Sequence, residues 1–275
     1  MEELDYFSKI ENAISYIRHQ TDFRPEVGII LGSGLGNFTD RIEVTQEISY
    51  SDIPHFPTTT VEGHSGKFVF GTFHGKPLVA MSGRFHYYEG YSMKEVTLPV
   101  RVLKLLGIEL LIVSNAAGGI NPDFNVGDLM VINDHIDKFP ENPLRGHNDE
   151  RFGVRFPDMS EPYDLGLVKK AIAIGSSKGL TVHQGVYLGI QGPKLETTAE
   201  LHYLETIGAD AVGMSTVPEV IVARHMDLRV FAVSAITNLC SPNNSIKFTH
   251  ENVVDAAKMA EGAMSLLIEN LIGSY

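Results

Sequence analysis

The chain has 275 residues, 43% of them hydrophobic and 20% charged, and a formal net charge of −12. This is ordinary globular composition, long enough to bury a large core without a disulfide or metal staple, and it excludes disorder, collagen and coiled coil as the organising principle. So acidic a chain is poorly suited to gripping a nucleic-acid backbone over a wide surface, whereas a small anionic substrate needs only a local positive pocket.

Taken in chain order, Leu4, Phe7, Ile10, Ile14 and Ile17 recur at spacings of three and four and predict an amphipathic N-terminal helix. This N-terminus lacks the basic region and continuous apolar run of a signal peptide, and no stretch of about 20 apolar residues follows, so a cytoplasmic protein that spans no membrane is expected. Short Val- and Ile-rich runs then predict strands at 27–31, 67–73, 77–82, 110–115, 128–134, 185–190, 209–214 and 228–236. Several are apolar throughout, which suits strands covered on both faces. Helical patterns alternate with them near 92–106, 164–178, 195–207 and 216–225, and Val253, Ala257, Ala260, Met264, Leu267 and Leu271 predict a C-terminal helix capped by Thr249. With no repeat and no long linker, the expectation is one α/β domain over 1–275, a central mixed twisted sheet flanked by helices.

The strand ends hold the chemistry. Gly32-Ser33-Gly34-Leu35-Gly36 follows the first strand, but Asn37 stands where a dinucleotide fingerprint needs glycine. What remains is a glycine turn that either holds a phosphate-like anion on its amides and the Ser33 hydroxyl or simply turns the chain. Gly175-Ser176-Ser177-Lys178-Gly179 matches a hydrolase nucleophile elbow, yet it follows a helical stretch, so its glycines read as helix C-caps. Arg84, His86 and Tyr88 alternate after a strand; if extended, they share one face, with Glu89 placed to orient His86. The competing reading is a surface arginine over packed aromatics. His64 lies in a Gly-His-Ser-Gly turn that is either solvent-exposed or close to that cluster. Asn115-Ala116-Ala117-Gly118-Gly119 offers small side chains, for close ligand approach or for tight packing. Glu196 near a helix start and Asn238 at a strand end each have an ordinary structural role open to them. Cys240 is alone, and the 11 histidines show no metal-ligand spacing, so neither a disulfide nor a zinc site is expected.

Together these motifs resemble the trimeric purine nucleoside phosphorylases. The matching segments are 32–36, Gly63-His64-Ser65-Gly66, Gly83–Gly90, Asn115–Pro122 and Gly208–Glu219, in the family's order, within a resemblance running from about residue 25 to 260. The resemblance implies the nucleoside phosphorylase fold, a homotrimer, and phosphorolysis of inosine and guanosine in purine salvage. It also implies a phosphate-binding set of Ser33, His64, Arg84, His86, the Ala116 amide and Ser215. Tyr88 and Met214 become ribose contacts, His250 faces the 5′-hydroxyl, and Glu196 and Asn238 read the purine. Ala116 and Leu195 also border the nucleoside, Leu195 where the family often has phenylalanine. Phe156 resembles the aromatic that reaches into a neighbouring subunit's sugar site. In this reading His86, Glu196, Asn238 and His250 form the catalytic group.

The residue types fit that chemistry. Phosphate displaces the purine from C1′, the sugar gains positive charge and the leaving base gains negative charge. Ser, His and Arg donors fix the phosphate, Glu196 accepts from N1–H of a 6-oxopurine, and the Asn238 amide donates as charge collects on N7 and O6. Inorganic phosphate is a co-substrate, and neither a metal nor an organic cofactor is implied. A methylthioadenosine phosphorylase would read a 6-amino group with aspartates. An oxidoreductase is disfavoured by Asn37, and a mere nucleoside-binding protein would not need Arg84 and His86.

Overall fold

Buried apolar strands and amphipathic helices assemble around a nine-stranded mixed sheet. The computed structural model describes residues 4–32, 36–59, 65–240 and 250–275, with backbone alone at 36 and 250–254. Ser33 and His64 lie outside the described residues, as does Thr249, and the His250 side chain is likewise not described.

The strands are β1 (Val27–Leu31), β2 (Glu43–Ser49), β3 (Lys67–Phe73), β4 (Lys76–Ser82), β5 (Leu110–Gly119), β6 (Leu129–Asp137), β7 (Val182–Gly189), β8 (Ala211–Gly213) and β9 (Arg229–Leu239). The helices are α1 (Tyr6–Gln20), α2 (Met93–Leu106), α3 (Leu165–Lys178), α4 (Thr198–Thr206), α5 (Val217–His225) and α6 (His250–Gly273). The sheet runs β2-β3-β4-β1-β5-β8-β7-β6-β9, and β9 returns to pair with β5. Five strands therefore close on themselves, and β2, β3, β4 and β1 extend from β5 as an open wing. Closure removes two exposed edges.

The element boundaries follow local chemistry. Asp5 caps α1 by accepting from the Ser8 amide at 2.7 Å. Ser92 with Glu95, and Thr197 with Glu200, form reciprocal capping boxes at α2 and α4. Ile10, Ala13 and Ile17 make the buried face of α1, while Leu4 precedes the helix and is 49% exposed, contrary to its predicted place on that face. On α6, Ala257, Ala260, Met264, Leu267 and Leu271 are buried as their spacing predicts.

Several expectations need correction, among them the limits of β6, which runs to Asp137 and not 134, and of β7, which begins at Val182 and not 185. β2 was not expected, because EVTQEIS buries only Ile48 and so carries no apolar alternation. β5 and β9 run to Gly119 and Leu239, beyond the predicted ends at 115 and 236. The small residues of Asn115–Gly119 thus lie inside a ladder, where pairing with β9 and β8 overrides their low intrinsic strand preference. β8 shrinks to Ala211–Gly213, since Asp210 leaves the strand to accept from the Val186 amide and Asn121 Nδ2, both at 2.8 Å. Gly179 caps α3 with φ +67°, but Gly175 is inside the helix, where an added Cβ would lie 2.5 Å from Val182.

Candidate active site

The closure of the sheet leaves a break in strand pairing along one edge of β5. That edge pairs with β1 through Val113 and with β8 at Gly118 and Gly119. Between them, residues 114–117 have no strand partner on that side among the described residues. Ser114 and Ala116, two positions apart, present their backbone polar groups to the same edge. Of the predicted anion set, Arg84 and Ser215 are brought to this edge beside Ala116, while Ser33 and His64 lie outside the described residues.

Arg84 enters from the end of β4, just past Gly83 at φ +102°. It is 2% exposed and donates to the Ser114 carbonyl oxygen and, at 3.3 Å, to Thr216 Oγ1. The surface-arginine alternative is thereby excluded. His86 is also buried, and its Nδ1 lies 3.0 Å from Glu89 Oε1, which accepts from the His86 amide at 2.8 Å. Glu89 therefore fixes the ring, as its spacing suggested. The segment is not extended throughout, because Tyr87–Glu89 forms a 3-10 turn. Tyr88 nonetheless stacks on His86, with ring centroids 4.7 Å apart and planes 15° apart. Burial pushes the Tyr88 phenol up to about 12.

Ser215 reaches the same gap from the loop between β8 and α5. Its amide faces Tyr187 Oη at 3.4 Å and its hydroxyl lies 3.3 Å from Thr216 Oγ1. Thr216 holds φ +72°, a strained setting for a β-branched residue. That backbone aims its hydroxyl at Arg84 and at Asn115 Nδ2, which donates to it at 2.8 Å. Asn115 and Thr216 belong to this network although sequence reasoning gave them no role. Their only signal was their position inside motifs whose other members drew attention.

A second cluster lies further along β5 and β9. The ladder slips at Thr237, so Gly118 faces Asn238. Such a bulge re-aims a side chain. Thr237 Oγ1 donates to Asn238 Oδ1 at 3.1 Å, and Asn238 Nδ2 donates to Cys240 Sγ at 3.1 Å. The buried Asn238 carboxamide is thus held at both ends. Burial, with the Glu196 charge nearby, pushes the Cys240 thiol up to about 12. Glu196 is half-buried, and desolvation raises its carboxyl above the usual glutamate range. The thiol thus touches one predicted base reader, Asn238, and feels the charge of the other, Glu196. Met214 packs beside Gly192, where an added Cβ would meet its sulfur at 2.3 Å. Leu195 is 53% exposed.

Phe156 is not brought to either cluster. It stands 87% exposed, with the Arg155 guanidinium 5.6 Å from its ring. Among the described residues no group of three acidic, histidine or cysteine side chains is arranged to hold a metal, and no helix is long and apolar enough to cross a membrane.

Comparison with known proteins places this architecture. Residues 26–273 match the family model described as "Phosphorylase superfamily". The chain is 47% identical to purine nucleoside phosphorylase 1 of Bacillus subtilis, covering 97% of this chain and 98% of that one. It is 49% identical to the purine nucleoside phosphorylase of Mus musculus, covering 98% of each. A solved schistosoma purine nucleoside phosphorylase in complex with hypoxanthine superposes with a TM-score of 0.93 at 42% identity, covering 98% of this chain and 99% of that one.

Proposed function

The chain belongs to the phosphorylase superfamily and is a purine nucleoside phosphorylase; from that premise we propose that it acts on 6-oxopurine ribo- and deoxyribonucleosides, in the cytoplasm and in purine salvage. Inosine and guanosine give free base and the (deoxy)ribose 1-phosphate. The observation that carries the reading is the pairing of the donors at the β5 edge with the fixed Asn238 carboxamide further along β9, beside a thiol that feels the charge of Glu196 from the loop before α4.

In this mechanism phosphate sits at the gap. Arg84, His86, Ser215 and the Ala116 amide hold it, joined by Ser33 and His64. Its oxygen attacks C1′ as the glycosidic bond lengthens. Glu89 keeps the His86 imidazole in place, so little reorganisation is needed as charge develops. Tyr88 and Met214 flank the ribose, and His250 meets its 5′-hydroxyl. Glu196 accepts from N1–H and Asn238 donates to the purine as negative charge builds there, with Leu195 giving apolar contact. Glu196 must be ionised to accept, so kcat/KM for inosine should fall on the acid side, at a pH above the ordinary glutamate value. The reading asks for no metal or organic cofactor. Its test is an ultraviolet assay of inosine and adenosine cleavage, with and without phosphate. Full-rate inosine cleavage in phosphate-free buffer would make the enzyme a hydrolase and overturn it.

We extend the proposal to a homotrimer in which Phe156, 87% exposed in its own chain, completes a neighbour's sugar site. Phe156→Ala should raise the inosine KM about ten-fold, the size of a modest aromatic hot spot, and leave the phosphate KM nearly unchanged. A monomeric mass by sedimentation at micromolar concentration, with full activity, would refute the assembly.

Gly118→Ala tests the base end. The added Cβ would lie 2.4 Å from Cys240 Sγ and 3.1 Å from Asn238 Nδ2. It should displace the carboxamide and lower kcat/KM for inosine by about 10- to 100-fold, while the phosphate KM holds. An unchanged kcat/KM would mean that Asn238 is not placed by this contact.

A further inference from the structure

Behind the anion cradle lies a buried ion pair for which phosphorolysis has so far required no role. Arg84 and Glu219 are 2% and 3% exposed, and Arg84 Nη1 is 3.5 Å from Glu219 Oε1. The other carboxylate oxygen, Oε2, is buried with no hydrogen-bond partner among the described residues. Glu219 sits in the first turn of α5, the helix whose start also carries Ser215 and Thr216. A first-turn glutamate ordinarily faces water and answers the helix dipole. This one is turned inward, onto the guanidinium that faces the gap in β5.

Two consequences follow from that placement. The carboxylate anchors Arg84 at one nitrogen, with Thr216 Oγ1 sharing the same nitrogen and the Ser114 carbonyl accepting from the other. It also sets a negative charge close to where an anion would bind, in a medium of low dielectric. We propose that Glu219 is a positioning residue for phosphate: it holds Arg84 in the cradle and offsets part of its charge, which keeps phosphate and sugar-phosphate binding weak enough for turnover. This rests on the reading of Arg84 as a phosphate ligand.

The test is steady-state kinetics on the full-length enzyme, with phosphate varied at saturating inosine and inosine varied at saturating phosphate. Calorimetric titration with inorganic phosphate supplies a direct Kd. Glu219→Gln keeps the shape and an acceptor for Arg84 but removes the charge. It should lower the phosphate KM and Kd about ten-fold, lower kcat as product release slows, and leave the inosine KM within two-fold. If the glutamine variant does not fold, Glu219→Asp decides the matter: it keeps an acceptor and a buried counter-charge but draws the charge back by one methylene, so it should lower the phosphate Kd by a smaller factor, and a raised Kd would overturn the proposal. An unchanged or raised phosphate Kd, or an equal shift in the inosine KM, would show a fold-supporting ion pair and overturn the proposal. Arg84→Ala, made alongside, separates the two layers of the argument. If it leaves the phosphate KM untouched, the phosphate-site reading itself fails. If it raises that KM while the Glu219 variants change nothing, only the role of Glu219 falls.

Discussion

Wild-type enzyme should prefer inosine to adenosine by up to about 10⁴–10⁵ in kcat/KM, because a site built to pair a substrate N–H leaves its own buried groups unpaired against an analogue lacking it. Adenosine has no N1 proton, so the Glu196 carboxylate would face a lone pair. The Asn238 amide would point a donor at a 6-amino donor. The structure sharpens the second half of this argument. Asn238 Oδ1 accepts from Thr237 and Nδ2 donates to Cys240, so the carboxamide is not free to flip and present its oxygen instead. Asn238→Asp replaces the donor with an acceptor and should improve adenosine relative to inosine. Glu196→Gln offers N1–H a neutral acceptor, and losing a charged hydrogen bond of about 1.5–3 kcal/mol should cut kcat/KM for inosine by about one to two decades. It should also abolish the acid limb of the inosine profile. If both variants keep the wild-type inosine-to-adenosine ratio, Glu196 and Asn238 are not the purine readers.

Arg84→Ala should damage function and fold together. Loss of a charged donor to phosphate, worth about 1.5–3 kcal/mol, should raise the phosphate KM by about 10- to 100-fold. The same change strands Glu219 as an uncompensated buried carboxylate, since its closest charge partner is the Arg84 guanidinium at 3.5 Å. Removing one member of a buried pair costs about 3–5 kcal/mol, so the variant should also unfold at markedly lower denaturant. Arg84→Ala/Glu219→Leu removes both charges and should recover most of the stability without recovering the phosphate KM. A phosphate KM that returned with the stability would show that Arg84 serves the fold and not the anion.

Much of the fold was legible from local pattern. β1 and β3 have their predicted limits, because each is a buried apolar run closed by turn residues. The polar wing strand β2 was invisible, because burial of one residue leaves no period to read. The extension of β5 through Ala116–Gly119 was equally hidden, since a strand of small residues exists only because β8 and β9 are there to pair with it.

The site divides in the same way. Sequence alone determined which residue types are present, their order, and the local relation of Glu89 to His86, because a spacing of three residues in a tight turn is a short-range fact. It also determined the family, since several motifs in one order are improbable by chance. Only the tertiary structure decided that strand pairing breaks along one edge of β5 at 114–117, that Arg84 is turned inward onto Glu219, and that a slipped ladder fixes Asn238 against Gly118. Each of these depends on strands distant in the chain meeting in one register. Register is set by the packing of the whole sheet, and no window of sequence contains it.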